Sequence, residues 1–556
     1  MATTRASALA LLLSAVATAA SAPNVIFMIL DDMDSLLGAT EVMPHYTQRL
    51  IDGGLSFEHA YVSSPKCCPS RTSLLSGRFA HRLNDSAQGW CGDFISASRF
   101  DETFITRLKA GANYTTGFFG KMVNDMGPMC EKGVARVPAG FDVARGDAFV
   151  AMCNEVVYYQ NTFNVDGALY TTGARGAENY LQAFIGNKTL PWLQKVAAAS
   201  AAGGAPFFAY LAPHAPHFPA EPAPWYADAP LPHEIAPRVP SYNATGPGKV
   251  WSIEQNNPLD AFTAAGIDLH YRNRLRSLMS VDDYVHDIFA VLESTGALSN
   301  TYFVATSDHG YHLGNFRVPY EKSHMYETDV RVPFFIAGPG VPAGQKQDAL
   351  VSLLDVGATV LELAGVTQPG ERTTDGRSFV PLLGGAKPAG WREEVLIEMM
   401  GVGNQWMGVC GWVFNATPCP NEAQDTPSLI DGPQNTYAML RIVNSTSDLS
   451  YAEFRPADRL QVRNATNFTE AYDNAADREF PRPNPNPTLT PRPRTPQTHP
   501  NRNPPQPAHP NPNRHSLAVA RAARLGARWA ERPPVDLRGM RARHVPVTRA
   551  RARERA

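Results

Sequence analysis

The chain has 556 residues, of which 44% are hydrophobic and 18% charged, and its formal net charge at pH 7 is −2. This composition is typical of a globular protein, and the absence of long heptad or collagen-like repeats excludes a fibrous one. The charge is unevenly distributed, because residues 481–556 carry a net charge of +13 and hold 16 of the 47 prolines. The rest of the chain is therefore acidic, which argues against nucleic-acid binding. The basic, proline-rich tail is predicted to be disordered.

Residues 1–22 have the features of a cleaved secretory signal peptide. Arg5 precedes an apolar run from Ala8 to Ala20, and the segment ends in small residues of the Ala-x-Ala pattern. The run is shorter than the roughly 20 residues that a helix needs to span a bilayer, and no other apolar stretch is long enough. A buried N-terminal helix is the alternative interpretation.

The glycosylation sequons and cysteines also favour the secretory pathway. Eight Asn-x-Ser/Thr sequons occur, at Asn84, Asn113, Asn187, Asn243, Asn415, Asn444, Asn464 and Asn467. The odd number of cysteines, seven, leaves at least one without an intrachain partner. Cys410 and Cys419 are predicted to close a local loop, although spacing alone does not fix the connectivity. We therefore expect a secreted, extracellular or lysosome-like protein.

Short apolar runs alternate with segments of helical period along most of the chain. Runs without polar alternation predict strands buried on both faces, at residues 24–30, 206–212, 301–306 and 332–337. Segments of helical period include residues 275–292 and 350–363. This alternation predicts an α/β domain whose largely parallel sheet is flanked by helices.

The pattern divides the chain after the signal peptide into three parts. Residues 23–385 are predicted to form the main domain. Residues 386–477, with strand-like pieces at 394–399 and 437–443, are predicted to form a smaller C-terminal subdomain. Residues 478–556 are the predicted disordered tail, with one candidate helix at 516–530.

Polar side chains follow three of the predicted strands. Asp31 and Asp32 follow the first, His214 and His217 follow the second, and Asp308 with His309 follows the third. Ligands of such sheets gather at the carboxyl ends of the strands, and these side chains could bind Ca²⁺ or Mg²⁺. An Asp-Asp pair is also compatible with a helix N-cap or a solvated turn.

The segment from Cys67 to Gly77, CCPSRTSLLSG, resembles the sulfatase signature Cys-x-Pro-Ser-Arg followed by five residues and Gly. In that family the cysteine is oxidised to the aldehyde formylglycine by a formylglycine-generating enzyme. The register selects Cys67 and leaves Cys68 as the variable position. The alternative is an ordinary disulfide loop that opens a helix.

The resemblance covers about residues 23–383 and implies an alkaline-phosphatase-like fold. It is strongest to the N-acetylglucosamine-6-sulfatase and heparan 6-O-endosulfatase group, and it rests on the segments around Asp31, Lys121, His217, Asp308 and Lys322. It implies one calcium ion. The implied metal-site residues are Asp31, Asp32, Cys67, Asp308 and His309, and the implied catalytic residues are Cys67, Arg71, Lys121, His217 and Lys322.

These residue types suit the hydrolysis of a sulfate ester. A hydrated aldehyde has two hydroxyls, so one can attack sulfur and deprotonation of the other can then expel sulfate. Lys121, Lys322 and His217 can neutralise the sulfate oxygens. Arg71, one helical turn after Cys67, can orient the hydrate or a metal ligand. The roles of His214 and His312, as pocket walls or as core histidines, stay open.

We therefore expect a sulfuric ester hydrolase that acts on a sulfated sugar, such as a glucosamine 6-sulfate, or on an aryl sulfate. One alternative is a phosphatase or phosphodiesterase of the same superfamily. Another is a non-catalytic glycan-binding glycoprotein. The basic tail could hold the protein on a sulfated matrix, but we favour an extension that catalysis does not need.

Overall fold

The computed structural model describes residues 22–474 except 84–90, 92–93, 95–98, 125, 132, 134, 154–156, 247, 368–373, 402–404, 408–412, 414–427, 432 and 455–467. Most of the predicted signal peptide, the predicted Cys410–Cys419 bridge and the whole predicted tail lie outside the described residues. The boundaries predicted for the main domain and the subdomain stay predictions.

The centre of the molecule is a ten-stranded sheet with an additional two-stranded hairpin. The sheet strands are β1 (Asn24–Leu30), β2 (Leu55–Tyr61), β3 (Thr115–Gly120), β4 (Ala148–Met152), β5 (Thr162–Val165), β6 (Ala168–Thr171), β7 (Phe207–Ala212), β8 (Thr301–Ser307), β11 (Phe334–Ala337) and β12 (Gln345–Ser352). The hairpin strands are β9 (His312–Leu313) and β10 (Tyr320–Glu321).

The strand order is β12-β2-β11-β8-β1-β7-β3-β4-β5-β6. The five strands from β8 to β4 are parallel to one another, whereas β11 runs antiparallel to both of its neighbours. The predicted α/β class is confirmed, and the sheet is mixed, with a parallel centre. Because β1, β3, β7 and β8 are parallel neighbours, the segments that follow them meet at one edge of the sheet.

Helices flank the sheet. The longer ones are Cys67–Ser76, Phe104–Ala112, Leu181–Ala201, Ala261–Thr295 and Asp355–Leu363. Helices of three or four residues are Pro44–Tyr46, Ala80–Leu83, Trp251–Glu254 and Glu327–Val330.

Two predicted helices differ from the observed ones. The helix predicted at 275–292 is the second half of a longer helix that begins after Asp260, whose side chain accepts a hydrogen bond from the Thr263 N–H. The helix predicted at 350–363 is wrong in its first residues, because Leu350 and Val351 pair with β2 and the helix begins at Asp355. A buried strand and a buried helix share the same apolar composition, so periodicity did not separate them.

The C-terminal residues form a small antiparallel sheet in the order β13-β16-β17-β18, next to a two-stranded ladder of β14 and β15. The strands are β13 (Glu394–Met399), β14 (Gln405–Met407), β15 (Ser428–Asp431), β16 (Tyr437–Asn444), β17 (Ser447–Phe454) and β18 (Phe468–Asp473). Glu470 on β18 accepts hydrogen bonds from the Val250 N–H and the Tyr326 hydroxyl. These buried contacts attach the small sheet to the main domain.

Disulfides join Cys68 to Cys91 and Cys130 to Cys153. Among the described cysteines, Cys67 has no disulfide partner and is buried. The two adjacent cysteines therefore differ in structure: Cys68 is part of a bridge, and Cys67 keeps a thiol.

This difference predicts unequal effects on stability. Cys68→Ser removes a bridge between residues 23 apart in sequence, so it should lower the free energy of unfolding by about 2–5 kcal/mol. Cys67→Ser breaks no bridge and should lower the free energy of unfolding by less than Cys68→Ser does. Urea unfolding of the two variants measures both values, and equal losses would contradict the assignment.

Candidate active site

The carboxylate of Asp31, at the end of β1, is buried and has three basic neighbours. Lys121, which follows β3, places Nζ 2.8 and 3.2 Å from its two oxygens. His214, which follows β7, places Nδ1 2.7 Å from Oδ2, and Arg71 places Nη2 3.3 Å from Oδ1. Parallel strand order thus brings together side chains that are far apart in sequence.

Asp32 forms a second buried cluster beside the first. The Lys322 Nζ lies 3.0 Å from both carboxylate oxygens of Asp32, and His309 Nε2 lies 3.3 Å from Oδ1. His217 Nε2 is 4.0 Å from Oδ2. Asp32 has a left-handed backbone conformation with φ of 68°, and its N–H donates to Asp308 Oδ1 at 3.1 Å. This hydrogen bond ties the turn after β1 to the turn after β8.

Cys67 is the first residue of its helix, and its Sγ lies 3.2 Å from His309 Nε2. Arg71 is one turn further along the same helix. Its Nε donates to Asp308 Oδ2 at 2.8 Å, and its Nη1 donates to the Lys121 carbonyl at 2.7 Å. Arg71 therefore connects Cys67's helix to the ends of three strands and orients the carboxylates.

The charges in the two clusters stabilise one another. Burial alone would raise the pKa of Asp31, but the charges of Lys121 and Arg71 hold it well below its usual value. Burial opposes ionisation of Asp32 in the same way, and Lys322 is the main group that lowers its pKa. Burial would lower the pKa of both lysines, yet the facing carboxylates raise it above the usual value. Asp31, Asp32 and the two lysines are thus all charged at neutral pH.

The two histidines that line this pair of clusters differ in charge. Burial lowers the pKa of His217 well below its usual value, so the ring is neutral at pH 7. Its Nδ1 lies 2.6 Å from the Phe218 carbonyl, which places the proton on Nδ1. Burial would also lower the pKa of His309, but Asp308 and the Cys67 thiol raise it to about 9.

Four of the five predicted metal-site residues bring donor atoms together. One donor atom each from Asp31, Asp32, Cys67 and His309 lies within 4.8 Å of the others, and all four residues are buried. Asp308 lies in the same place but its carboxylate is occupied, since Oδ1 accepts from two backbone N–H groups and Oδ2 from Arg71. Carboxylate oxygens with one imidazole suit a divalent cation.

Two residues of the site were not among the predicted catalytic or metal-site residues. His214 bonds Asp31 and stacks on His217 with ring centroids 4.5 Å apart, and its Nε2 is buried without a partner. Its position three residues before His217 was the only signal. Arg274, from the long helix, donates to the Asp32 carbonyl at 2.8 Å and to the Pro216 carbonyl at 3.3 Å. These two contacts of Arg274 are visible only in the tertiary structure.

Comparison with known proteins shows the family of this chain. The family model described as Sulfatase matches residues 23–366. The chain belongs to the sulfatase family. It is 33% identical over 471 residues to human N-acetylglucosamine-6-sulfatase, and this alignment covers 83% of this chain and 81% of that protein. It is 34% identical over 388 residues to the Drosophila melanogaster extracellular sulfatase SULF-1 homolog, which covers 68% of this chain and 33% of that protein.

Solved structures show the same fold at lower identity. A protein solved with its substrate D-glucosamine-2-N,6-O-disulfate has a TM-score of 0.59 at 21% identity, covering 83% of this sulfatase and 92% of that chain. The phosphonate monoester hydrolase of Silicibacter pomeroyi has a TM-score of 0.57 at 20% identity, covering 91% and 95%. The alkaline-phosphatase-like fold is therefore confirmed, and this chain is an enzyme of the sulfatase type. Within the described residues, no helix has the length and apolarity that crossing a membrane requires.

Proposed function

We propose that this sulfatase removes sulfate from a sulfated amino sugar of the glucosamine 6-sulfate type, with a formylglycine made from Cys67 as its nucleophile. The observation that carries the proposal is the Cys67 thiol, which is buried, forms no disulfide and lies next to the charged clusters of Asp31 and Asp32. The same residue occupies the cysteine of the sulfatase signature. The similarity to N-acetylglucosamine-6-sulfatase over most of both chains supports the substrate class.

The residues around Cys67 suit the binding of a sulfate ester. Lys121 and Lys322 stay protonated inside the site and can each contact a sulfate oxygen. Residue 67 begins a ten-residue helix, so the helix dipole also favours an anion there. The His217 side chain is 12% exposed, compared with 1% for Lys121 and 4% for Lys322. We place His217 at the entry side, where it contacts the sulfate ester near the leaving sugar oxygen.

The formylglycine hydrate would supply the two hydroxyls that form and then release the sulfated intermediate. The chain's own residues hold that position. His309 Nε2 lies within hydrogen-bond distance of the residue 67 side chain, and Arg71 fixes the helix against Asp308. Replacement of the aldehyde by a thiol or hydroxyl would leave an intermediate that cannot decompose by elimination. This chemistry requires the formylglycine-generating enzyme as a partner during maturation.

We further propose that Asp31, Asp32, His309 and residue 67 hold one calcium ion, with Asp308 contributing to the same centre. Binding of the ion would displace the Nε2 proton that His309 carries without it. The converging carboxylate oxygens fit such an ion, because hard cations prefer carboxylate ligands. The ion would polarise the sulfate oxygens and lower the pKa of a hydroxyl on residue 67. Asp308 and Arg71 would keep the carboxylate-bearing turns in place.

The two alternatives to a sulfatase have less support. A phosphatase of this superfamily would use a Ser or Thr nucleophile and a second metal site, whereas here Lys121 and Lys322 approach the carboxylates of Asp31 and Asp32. A non-catalytic glycan-binding protein would not need the complete set of charged residues. Two disulfides and the exposed sequons at Asn113 and Asn187 support the secretory pathway, with a secreted or lysosome-like destination.

The proposed nucleophile can be tested directly. Mass spectrometry of the peptide containing residue 67 should find an aldehyde in place of the thiol, in protein secreted from cells that hold the modifying enzyme. Cys67→Ala should abolish turnover of glucosamine 6-sulfate and aryl sulfates without loss of fold. Ser73→Ala, on the same helix, is the matched control and should keep turnover. A fully active Cys67→Ala enzyme would refute the proposal.

Calcium binding has a separate test. Calorimetric titration of chelator-treated enzyme should show one calcium per chain, and Asp31→Asn should weaken binding by about 100-fold or more, since second-shell changes alone cost about 10–100-fold. Asp268→Asn, which alters a surface ion pair with Arg238, is the control and should bind normally. Full activity in protein without calcium would contradict the assignment.

A further inference from the structure

We propose a second metal site in this protein, formed by His312, His324 and Asp329, that binds a zinc-type cation. We define these three residues as the His–His–Asp cluster. One donor atom from each lies within 4.8 Å of the other two, and all three residues are buried. The site is separate from the proposed calcium centre and does not depend on the proposed function.

The cluster has the dimensions of a metal site. His312 Nδ1 lies 2.9 and 3.1 Å from the two oxygens of Asp329, and His324 Nδ1 lies 3.6 Å from Oδ2. Zinc binds nitrogen and oxygen at about 2.0–2.2 Å in tetrahedral geometry, which separates neighbouring ligand atoms by about 3.3 Å. The observed separations fall on both sides of that value, so a zinc ion would require only small side-chain movements.

The carboxylate is oriented before any cation binds. The His324 N–H donates to Asp329 Oδ2 at 2.8 Å, and the Thr328 hydroxyl donates to Oδ1 at 2.9 Å. Such hydrogen bonds fix a ligating carboxylate and are typical of metal sites.

Unsatisfied polar atoms mark the cluster as incomplete. Nε2 of His312 and Nε2 of His324 are both buried without a hydrogen-bond partner, and each residue is 2% exposed. The adjacent Ser323 hydroxyl is buried and unpartnered too. Each ring therefore has Nδ1 on the Asp329 side and an Nε2 without a protein partner. Unpaired buried polar atoms are rare in folded proteins and indicate a site that a ligand can complete. A tetrahedral ion held by the three residues would have one position left for water or another oxygen.

The cluster lies beside residues that contact the C-terminal part of the chain. The His324 and Tyr326 rings have centroids 6.1 Å apart, and the Tyr326 hydroxyl donates to Glu470 on β18. Asn435, between β15 and β16, donates to the Ser323 carbonyl at 2.8 Å. A bound ion would therefore join the segment that follows Lys322 to the part of the molecule that contacts the C-terminal residues.

Donor chemistry separates this site from the calcium centre. Two imidazole nitrogens and one carboxylate oxygen are ligands that zinc prefers, whereas calcium requires six to eight oxygens. A bound zinc ion would fix the β9–β10 hairpin, the residues following Lys322 and the helix Glu327–Val330 to one another. Its effect would be on stability and on the position of Lys322.

The experiment uses tag-free, chelator-treated protein saturated with calcium, so that the Asp31–Asp32 centre is occupied. Titration with zinc should show one tight site per chain and a higher thermal unfolding midpoint. Cobalt added instead should give the visible absorption of a tetrahedral nitrogen–oxygen site. His324→Gln should weaken zinc binding by about 100-fold or more and remove the shift in midpoint. His233→Gln, at an exposed histidine paired with Glu41, is the matched control and should bind zinc as the wild type does.

His312→Gln gives a second test of the same site. His324→Gln should disturb the folded protein less, because the His324 ring is not within hydrogen-bond distance of Asp329. No zinc binding by the wild-type protein would overturn the proposal. Equal zinc binding in the wild type and both variants would also overturn it, since the ion would then be elsewhere. Neither result would affect the turnover or the mass of the Cys67 peptide, so failure here is distinguishable from failure of the proposed function.

Discussion

Two adjacent carboxylates, Asp31 and Asp32, are buried at the end of the central strand, and the rest of the site depends on how their charge is compensated. Each has a lysine within 3.2 Å, and a third cation, Arg71, bridges Asp31 and Asp308. Burying a charge without a partner is costly, whereas a fully hydrogen-bonded set of opposite charges is tolerated. The fold supplies those three partners from three separate parts of the chain.

This constraint connects sheet topology to chemistry. Because β8, β1, β7 and β3 are parallel neighbours, their following turns converge on the carboxylates. The Cys67 helix is attached to the same place through Arg71 and through the Ser70 hydroxyl, which donates to the Asp308 carbonyl at 2.5 Å. The same lysines that neutralise the carboxylates can also contact a sulfate ester. Structural compensation and substrate binding therefore use one set of side chains.

Much of this arrangement was predictable from the sequence. Uninterrupted apolar runs predicted β1, β7 and β8, and polar residues directly after them predicted the site. Motif spacing separated Cys67 from Cys68, and the structure shows a thiol at one and a bridge at the other. The site residues lie directly after strands, and the sequence pattern predicts where those strands end.

What could not be predicted depends on tertiary contacts. Leu350 and Val351 were predicted to be helical because the strand with which they pair is almost 300 residues away, and the local sequence carries no sign of that pairing. The pairing of Cys68 with Cys91 has no sequence signature. Arg274 reaches the turn after Asp32 from the middle of a 35-residue helix that carries other arginines, and nothing in its local pattern distinguishes it.

The central claim, that ion pairing keeps the two buried carboxylates charged, is tested most directly by a double-mutant cycle on Asp32 and Lys322. Urea unfolding of chelator-treated wild type, Asp32→Asn, Lys322→Met and the double variant measures the four free energies of unfolding. We expect Lys322→Met alone to cost about 3–5 kcal/mol, because it leaves Asp32 buried without its main partner. The double variant should then cost less than the sum of the two single losses by about 1–3 kcal/mol. Additive losses within about 0.5 kcal/mol would contradict the account.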